Sequence, residues 1–519
     1  MSKVHFRKNM SLFSLTMTGV TAIVGSGWLL GTQKIAEIAG PAGILSWIFG
    51  AIVALLVGLF YVEIGSANPS AGGIGYYAHV THGRFCGFLT SWINWLSVLA
   101  VAPIEAQGIV QYISQLSPKM MLLYSLQTHN LTTWGILASI GFMFFFMYIN
   151  YWSVKIFTRF NNFFTVFKVI VPILTIIALI HLGLHRANFG YTYSEFMPGG
   201  LKSILISVVS CGVVMSFNGF QSPMTFSEEI KDPKRMLPIA VIASILIALV
   251  LYVLLQIVFT GAVSPSMLTQ GFAHVNLRSP YVDLLMMANL QIMVTIIYAG
   301  SVISPTACGA AFLASSSRIL YSMADNKHVP AFLSIINPIY KNPRKAVVTS
   351  AIIGCLYLFL FRGWYHLVAV ISVLHVFSYI AAPVITMANR IKHKEILKST
   401  GQFILPGAKV LAPVLLFVLS TLLFYAAWPL TGEMLILIIP GLCFYFYYER
   451  KNNPTAHFLK SFKGASWLVL YILGISLVTF LGNHADASQN MISTPVSMVL
   501  LAILSLGIYV YGAFYCAEK

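Results

Sequence analysis

A chain of 519 residues that is 58% hydrophobic and 9% charged, with a mean hydropathy of +0.83, carries far more apolar surface than a water-soluble fold can bury. Its net charge of +17 is spread over short loops between apolar runs, which excludes a compact basic domain for nucleic acid and fits the loop bias of membrane proteins. The six cysteines stand singly, at neither metal-ligand nor disulfide spacing.

At about 20 residues per span, fourteen apolar runs are read, at 12–39, 42–66, 86–115, 132–152, 159–183, 201–228, 236–262, 284–323, 346–361, 364–389, 410–428, 432–448, 466–482 and 493–516. The basic start Met1–Met10 lacks a following small-residue cleavage site, so the first run reads as a retained span and not a signal peptide. Alternate loops divide Lys and Arg about four to one; the poorer set holds only Lys119, Arg186, Lys202, Arg278 and Arg362. That bias predicts cytoplasmic termini at both ends, in agreement with an even span count.

Ile23-Val24-Gly25-Ser26-Gly27-Trp28 interrupts the first run. Each glycine costs a helix about 1 kcal/mol against alanine. Backbone groups freed in lipid must be satisfied by protein, water or a ligand. The stretch is either a broken helix with a binding backbone or a close-packed Gly-x-Gly crossing. The second run leaves through Tyr61–Gly65 into Asn68–Tyr77, too apolar for an ordinary loop and too glycine-rich for a helix. It reads as a re-entrant segment or a flexible loop.

Two charges lie deep in apolar runs. Lys168 is about nine residues into the fifth, hence ~14 Å deep at 1.5 Å per residue. A charge at that depth costs about 2.5–3.5 kcal/mol on insertion scales and must face the protein interior. It is a proton-coupling amine or a static cation on freed carbonyls. Glu105 follows Pro103 in the third run, as a proton relay, a contact for a substrate ammonium, or a neutral acid stabilising the kink. The sixth run repeats the theme of the first: Ser216–Pro223 places glycine, proline and two side-chain amides in an apolar span. Two interruptions five spans apart are what an inverted five-plus-five repeat predicts, and they favour the binding-site reading.

These motifs in this order resemble the amino acid–polyamine–organocation transporter superfamily. Ile23–Trp28 resembles its broken first helix, Tyr61–Gly65 with Pro69–Tyr77 its second-span exit, and Phe217–Phe220 with Ser227–Pro238 its sixth-helix signature. Ser317–Asn326 with Val329-Pro330 resembles its eighth-helix exit. The fourteen-span length, Asn150–Lys155 and Met10–Phe13 look most like bacterial aspartate–proton symporters. The resemblance implies an all-α polytopic protein of leucine-transporter type: a 5+5 inverted repeat with broken first and sixth helices. It also implies that the Lys168 ammonium stands where sodium sits in sodium-coupled relatives. Met215 falls where relatives carry a gating aromatic, and Gln221 where some exchangers carry a glutamate.

A zwitterion brings two opposite charges into a low-dielectric centre. Half-helices beginning after Gly25 and Gly219 would turn positive dipole ends to its carboxylate, with the Ser26 and Gly27 N–H groups as donors. Carbonyls of residues 21–24 (Ile23 and Val24 among them) and of Met215, Ser216 and Phe217 would take the ammonium. Met215, Phe217, Phe220 and Gln221 would select the side chain, with Gln221 or Asn218 serving an acidic one. Lys34 and Glu37 read as a mutual pair. Glu228 and Glu229 beside Lys231, Lys234 and Arg235 read as an ion-pair cluster. His375 reads as a satisfied core histidine ahead of a relay, and Ser315, Ser316 and Ser317 as packing hydroxyls bonded back to carbonyls ahead of sodium ligands.

No phosphate loop or His-Glu-x-x-His motif points to an enzyme. The expected function is proton-coupled uptake of a small amino acid, acidic ones among the candidates, by alternating access. An exchanger, or a sensor that binds without transporting, is the alternative. No metal or organic cofactor is expected, and the proton rather than sodium is the coupling ion. The expected partners are an amino acid and the lipid bilayer of a bacterial inner membrane. The chain divides into a cytoplasmic N-terminus (1–11), a ten-helix core (12–390), and four additional helices with a short C-terminus (391–519).

Overall fold

A computed structural model describes residues 10–67, 73–125, 127–152, 154–225, 230–340, 342–392, 403–452, 458–482 and 489–517. The helices in chain order are α1 (Leu12–Ile23), α2 (Gly27–Ala39), α3 (Gly43–Ala67), α4 (Gly73–Leu99), α5 (Val101–Ile113), α6 (Thr133–Trp152) and α7 (Val154–His181). Then follow α8 (Tyr193–Phe196), α9 (Gly200–Ser210), α10 (Val213–Phe217), α11 (Ser222–Thr225), α12 (Pro233–Ala262), α13 (Pro280–Met287) and α14 (Gln291–Asp325). The last are α15 (Arg344–Leu360), α16 (Trp364–Lys392), α17 (Ala408–Ala426), α18 (Leu430–Asn452), α19 (Phe458–Leu481) and α20 (Thr494–Val510). One short hairpin, β1 (Tyr124–Ser125) with β2 (Asn130–Leu131), lies between α5 and α6.

The solvent of this fold is lipid. Ile170 and Ile177 of α7, Leu246 and Val250 of α12, and Val499 and Ile503 of α20 point outward, while Thr175, Ser244 and Ser505 on the same helices are buried. A bilayer demands that inversion, because it satisfies no backbone or hydroxyl group. Among the described residues, 11 helical stretches are long and apolar enough to cross it, and a twelfth is the bent pair Tyr193–Ser210 and Val213–Met224. Of the run at 12–39 only α1, with 12 residues, falls outside this set on length, because α2 is joined to α3 in the stretch Gly27–Ser66; α15, with 17 residues, falls outside as well. This is a multi-pass, all-α membrane protein.

α5 packs along α14, α1 on α12, and α16 on α4. Of the last four helices, α17 lies on α16 and α19 on α4. Arg84 of α4 bonds Glu449 of α18 at 3.2 Å, and His366 of α16 lies 3.3 Å from Glu433. Inside the core, Arg390 Nη2 reaches Glu63 Oε2 at 2.6 Å, and the Leu405 N–H donates to the same oxygen at 2.8 Å. That cluster pins the ends of α3 and α16 to the chain entering α17.

Two sequence expectations shift. Gly73–Tyr77, read as loop or re-entrant segment, forms the first turns of α4; Asn68–Gly72 lie outside the described residues. The first part of α4 is helical because Ile74, Tyr77 and Ala78 bury an apolar face, and the element then kinks at Gly83, where φ is +84. The sixth run breaks earlier than Ser216 and breaks twice. Gly212 adopts φ +82 beyond α9, α10 follows as a single turn, and a second gap covers residues 218–221. Met215, Ser216 and Phe217 are therefore helical and not extended backbone. Glu228 and Glu229 lie outside the described residues.

Candidate functional site

α1 ends at Ile23, where Val24 turns to φ −80, ψ 94, and α2 begins at Gly27 with Ser26 before it. Carbonyls at such a break lose their intrahelical partners. Each finds a side chain from another helix. Lys168 Nζ donates to Thr21 O at 2.7 Å, Cys308 Sγ to Ala22 O at 3.4 Å, Tyr252 Oη to Ile23 O at 3.0 Å, and Ser304 Oγ to Val24 O at 3.2 Å. Beyond the break, the Ser26 N–H donates to Glu105 Oε2 at 2.8 Å, and Trp364 Nε1 donates to Ser26 Oγ at 3.1 Å. All of these side chains are buried.

The electrostatics follow the half-helices. Lys168 sits at the C-terminal, negative end of α1, and Glu105 at the N-terminal, positive end of α2. Two opposite charges thus bracket the four residues between Thr21 and Ser26, and each matches the dipole it touches. The Ser26 N–H, expected to take a substrate carboxylate, is held by the protein's own. Gly25 has no room for a side chain, because an added Cβ would run into the Glu105 carboxylate and lie 3.0 Å from Cys308 Sγ.

The second break lies against the first. Gly219, at φ +123, crosses α1 so closely that a Cβ would come 2.6 Å from the Ala22 carbonyl carbon. A Cβ on Gly27 would meet Ser216 Oγ, which is buried and has no partner among the described residues. Tyr252 Oη also lies 3.2 Å from Ser216 O, so one hydroxyl touches both broken helices. Phe217 packs on Trp47 and Tyr252. The side-chain amide of Asn218 meets His375 Nε2 and accepts from Tyr379 Oη at 3.2 Å.

A cavity of about 60 Å³ opens on Asn218, Gly219 and Gln221 and extends past Ser315 to Arg318. Of the sequence-derived residues, the structure brings together Ile23 to Gly27, Lys168, Glu105, Ser216, Asn218 and Gly219. Met215 is buried at the edge of this group, and Gln221 lines the cavity.

A family profile for amino acid permeases matches residues 14–389. The chain belongs to the amino acid permease family. The permease is 40% identical over 515 residues to the glutamate/serine transporter AimA of Bacillus subtilis, covering 99% of this chain and 94% of that one. It is 30% identical over 516 residues to the aspartate-proton symporter of the same organism, covering 98% and 97%. Against the methylthioribose transporter of Bacillus subtilis, identity is 26% over 458 residues, covering 86% and 94%. The permease is accordingly an amino acid transporter and not an enzyme.

On the opposite side of the breaks, the permease has a vestibule of about 840 Å³ lined by Lys34, Glu37, His129, His274, Arg278 and His366 among others. Lys34 and Glu37 pair at 2.5 Å, as their spacing suggested. Ser315, Ser316 and Ser317 bond back to carbonyls of their own helix, also as expected. The sequence reading missed Tyr252, Ser304, Cys308 and Trp364. None carries a charge or a helix-breaking type; polar residues on otherwise apolar faces of the seventh, eighth and tenth runs were the available signal.

Proposed function

We propose that the permease is a proton-coupled importer of small amino acids, acidic ones included, in a bacterial plasma membrane. Fourteen spans, cytoplasmic termini and a five-plus-five core over 12–390 belong to this reading, which the family match over 14–389 supports. One observation carries it: Lys168 and Glu105 occupy the two dipole ends of the first break, where a zwitterion's ammonium and carboxylate have counterparts. The names of the two relatives at 30% identity or more point to acidic substrates and, for one, to proton coupling.

The chemistry follows from what each group donates or accepts. Ionised Glu105 accepts the Ser26 N–H and so competes with a substrate carboxylate for the strongest donor at the break. A proton on Glu105 removes its negative charge and weakens its hold on the amide, so that a substrate carboxylate outcompetes it. Ser26 and the first N–H groups of α2 then hold the carboxylate, since a helix leaves these without intrahelical partners. The ammonium lies among the carbonyls at the end of α1 and of Ser216. Trp364 on Ser26 closes the vestibule side, and the Asn218 cavity supplies the exit. Lys168 holds the end of α1 in place while it is charged, so its proton ties that end to the coupling ion.

The test is uptake by purified protein in liposomes under an inward proton gradient, with aspartate, glutamate, serine and alanine. Accumulation that a protonophore abolishes is expected. Uptake that requires preloaded internal amino acid would replace import by exchange. Ligand-induced thermal stabilisation without any uptake would leave a sensor.

A further inference from the structure

Three polar side chains at the second break fix one another's orientation. His375 on α16 is fully buried, and its Nδ1 lies 3.0 Å from Ile371 O. A carbonyl only accepts, so Nδ1 carries the ring hydrogen and Nε2 of the neutral ring is a bare acceptor. That acceptor meets the side-chain nitrogen of Asn218. On its other side, Asn218 Oδ1 accepts from Tyr379 Oη at 3.2 Å. Turning the amide over would set its oxygen against the lone pair of Nε2, so the network admits one orientation.

A side-chain amide has two N–H groups and two oxygen lone pairs. His375 takes one N–H and Tyr379 one lone pair. Asn218 lines the exit cavity, a mainly apolar wall in which Gln221, Ser315 and Arg318 are further polar members. We propose that His375, in one neutral tautomer, positions Asn218 so that its second N–H forms the side-chain subsite for amino acids bearing a hydrogen-bond-accepting oxygen. Carboxylate and hydroxyl side chains share that acceptor, and an aliphatic side chain lacks it. The inference rests on the transport reading above and adds a selection rule to it. His375 is a positioning residue: it acts on the substrate only through Asn218.

The experiment measures KM for glutamate, serine and alanine uptake in liposomes, for the unaltered permease, His375→Leu, His375→Gln and Tyr379→Phe. Leucine offers no acceptor and lets the Asn218 amide turn. KM for glutamate and serine then rises about tenfold, the scale of one hydrogen bond to such a group, while that for alanine stays put. In His375→Gln the new side-chain amide oxygen accepts from Asn218, so this variant recovers most of the discrimination. Tyr379→Phe loosens the same amide from its other end and shifts KM in the same direction by a few-fold, which serves should the leucine variant not fold. Equal changes for all three amino acids, no change, or a glutamine variant that behaves like leucine overturns the inference alone. No uptake of any amino acid by the unaltered permease overturns it together with the transport reading.

Discussion

Lys168 and Glu105 show how a buried charge declares itself. Each stands out in an apolar run, because a charge at that depth is too costly to leave without a task. Their partners are not legible in the same way. Thr21 O and Ser26 N–H are backbone atoms, and Tyr252, Ser304 and Cys308 become donors to the break only through the rotation of their helices. Lys168→Ala is expected to lose at least about tenfold in gradient-driven accumulation, as a lost charge-assisted contact at the break implies. Full uptake with an unchanged pH profile would remove Lys168 from coupling. Gly27→Ala drives a methyl group into Ser216 Oγ and is expected to lower stability by about 1–3 kcal/mol, the usual cost of overpacking. The apparent melting temperature of the purified variant checks it.

At the scale of the element, the two breaks were legible to different degrees. The first lay where Gly25-Ser26-Gly27 placed it, since two glycines around a serine leave no good helical alternative. The second was drawn to Asn218, Gly219 and Pro223, yet the chain also gives way at Gly212, whose sequence neighbours are all apolar. A left-handed φ is invisible in composition when a single glycine supplies it. Gly212→Ala is expected to cost about 1–3 kcal/mol, because φ +82 strains an L-residue and the methyl group meets Val368 of α16. A melting temperature equal to that of the unaltered permease would show that α9 and α10 tolerate a continuous helix.

For the whole molecule, the apolar runs revealed the class and the element positions, whereas the way the last four helices attach had to come from the structure. Arg84 and Glu449 are 365 residues apart in sequence, and nothing local to either names the other. Glu63 and Arg390 are likewise distant, although Glu63 is almost fully buried. Glu63→Ala leaves Arg390 facing a buried gap and is expected to cost about 3–5 kcal/mol, the range for breaking a buried pair. A pH effect belongs to this scale too. His328, in the loop beyond α14, is buried beside Phe88 and Tyr445, and burial with Arg84 and His79 nearby lowers its pKa from 6.5 to about 3. The unfolded chain therefore binds a proton that the folded one refuses between those values. Stability is full above pH 6.5 and falls as the pH drops toward 3. Melting curves of His328→Gln should be flatter between about pH 7.5 and 5 than those of the unaltered permease.

Tyr252 has one hydroxyl hydrogen and lies within bonding distance of two carbonyls, Ile23 O on the first broken helix and Ser216 O on the sixth. The two carbonyls are therefore one hydrogen short. On the proposed reading, a substrate ammonium would bring three, end the competition, and clasp the two helices through a group that belongs to neither. A permease working in this way would sense cargo by arithmetic, since only a molecule with hydrogens to spare would join its halves. In Tyr252→Phe the cargo-free protein loses its single shared donor while the loaded one keeps those of the cargo. The rise in melting temperature on adding substrate should then be larger than in the unaltered protein. A smaller rise would mean that the hydroxyl holds the cargo and not the doorway.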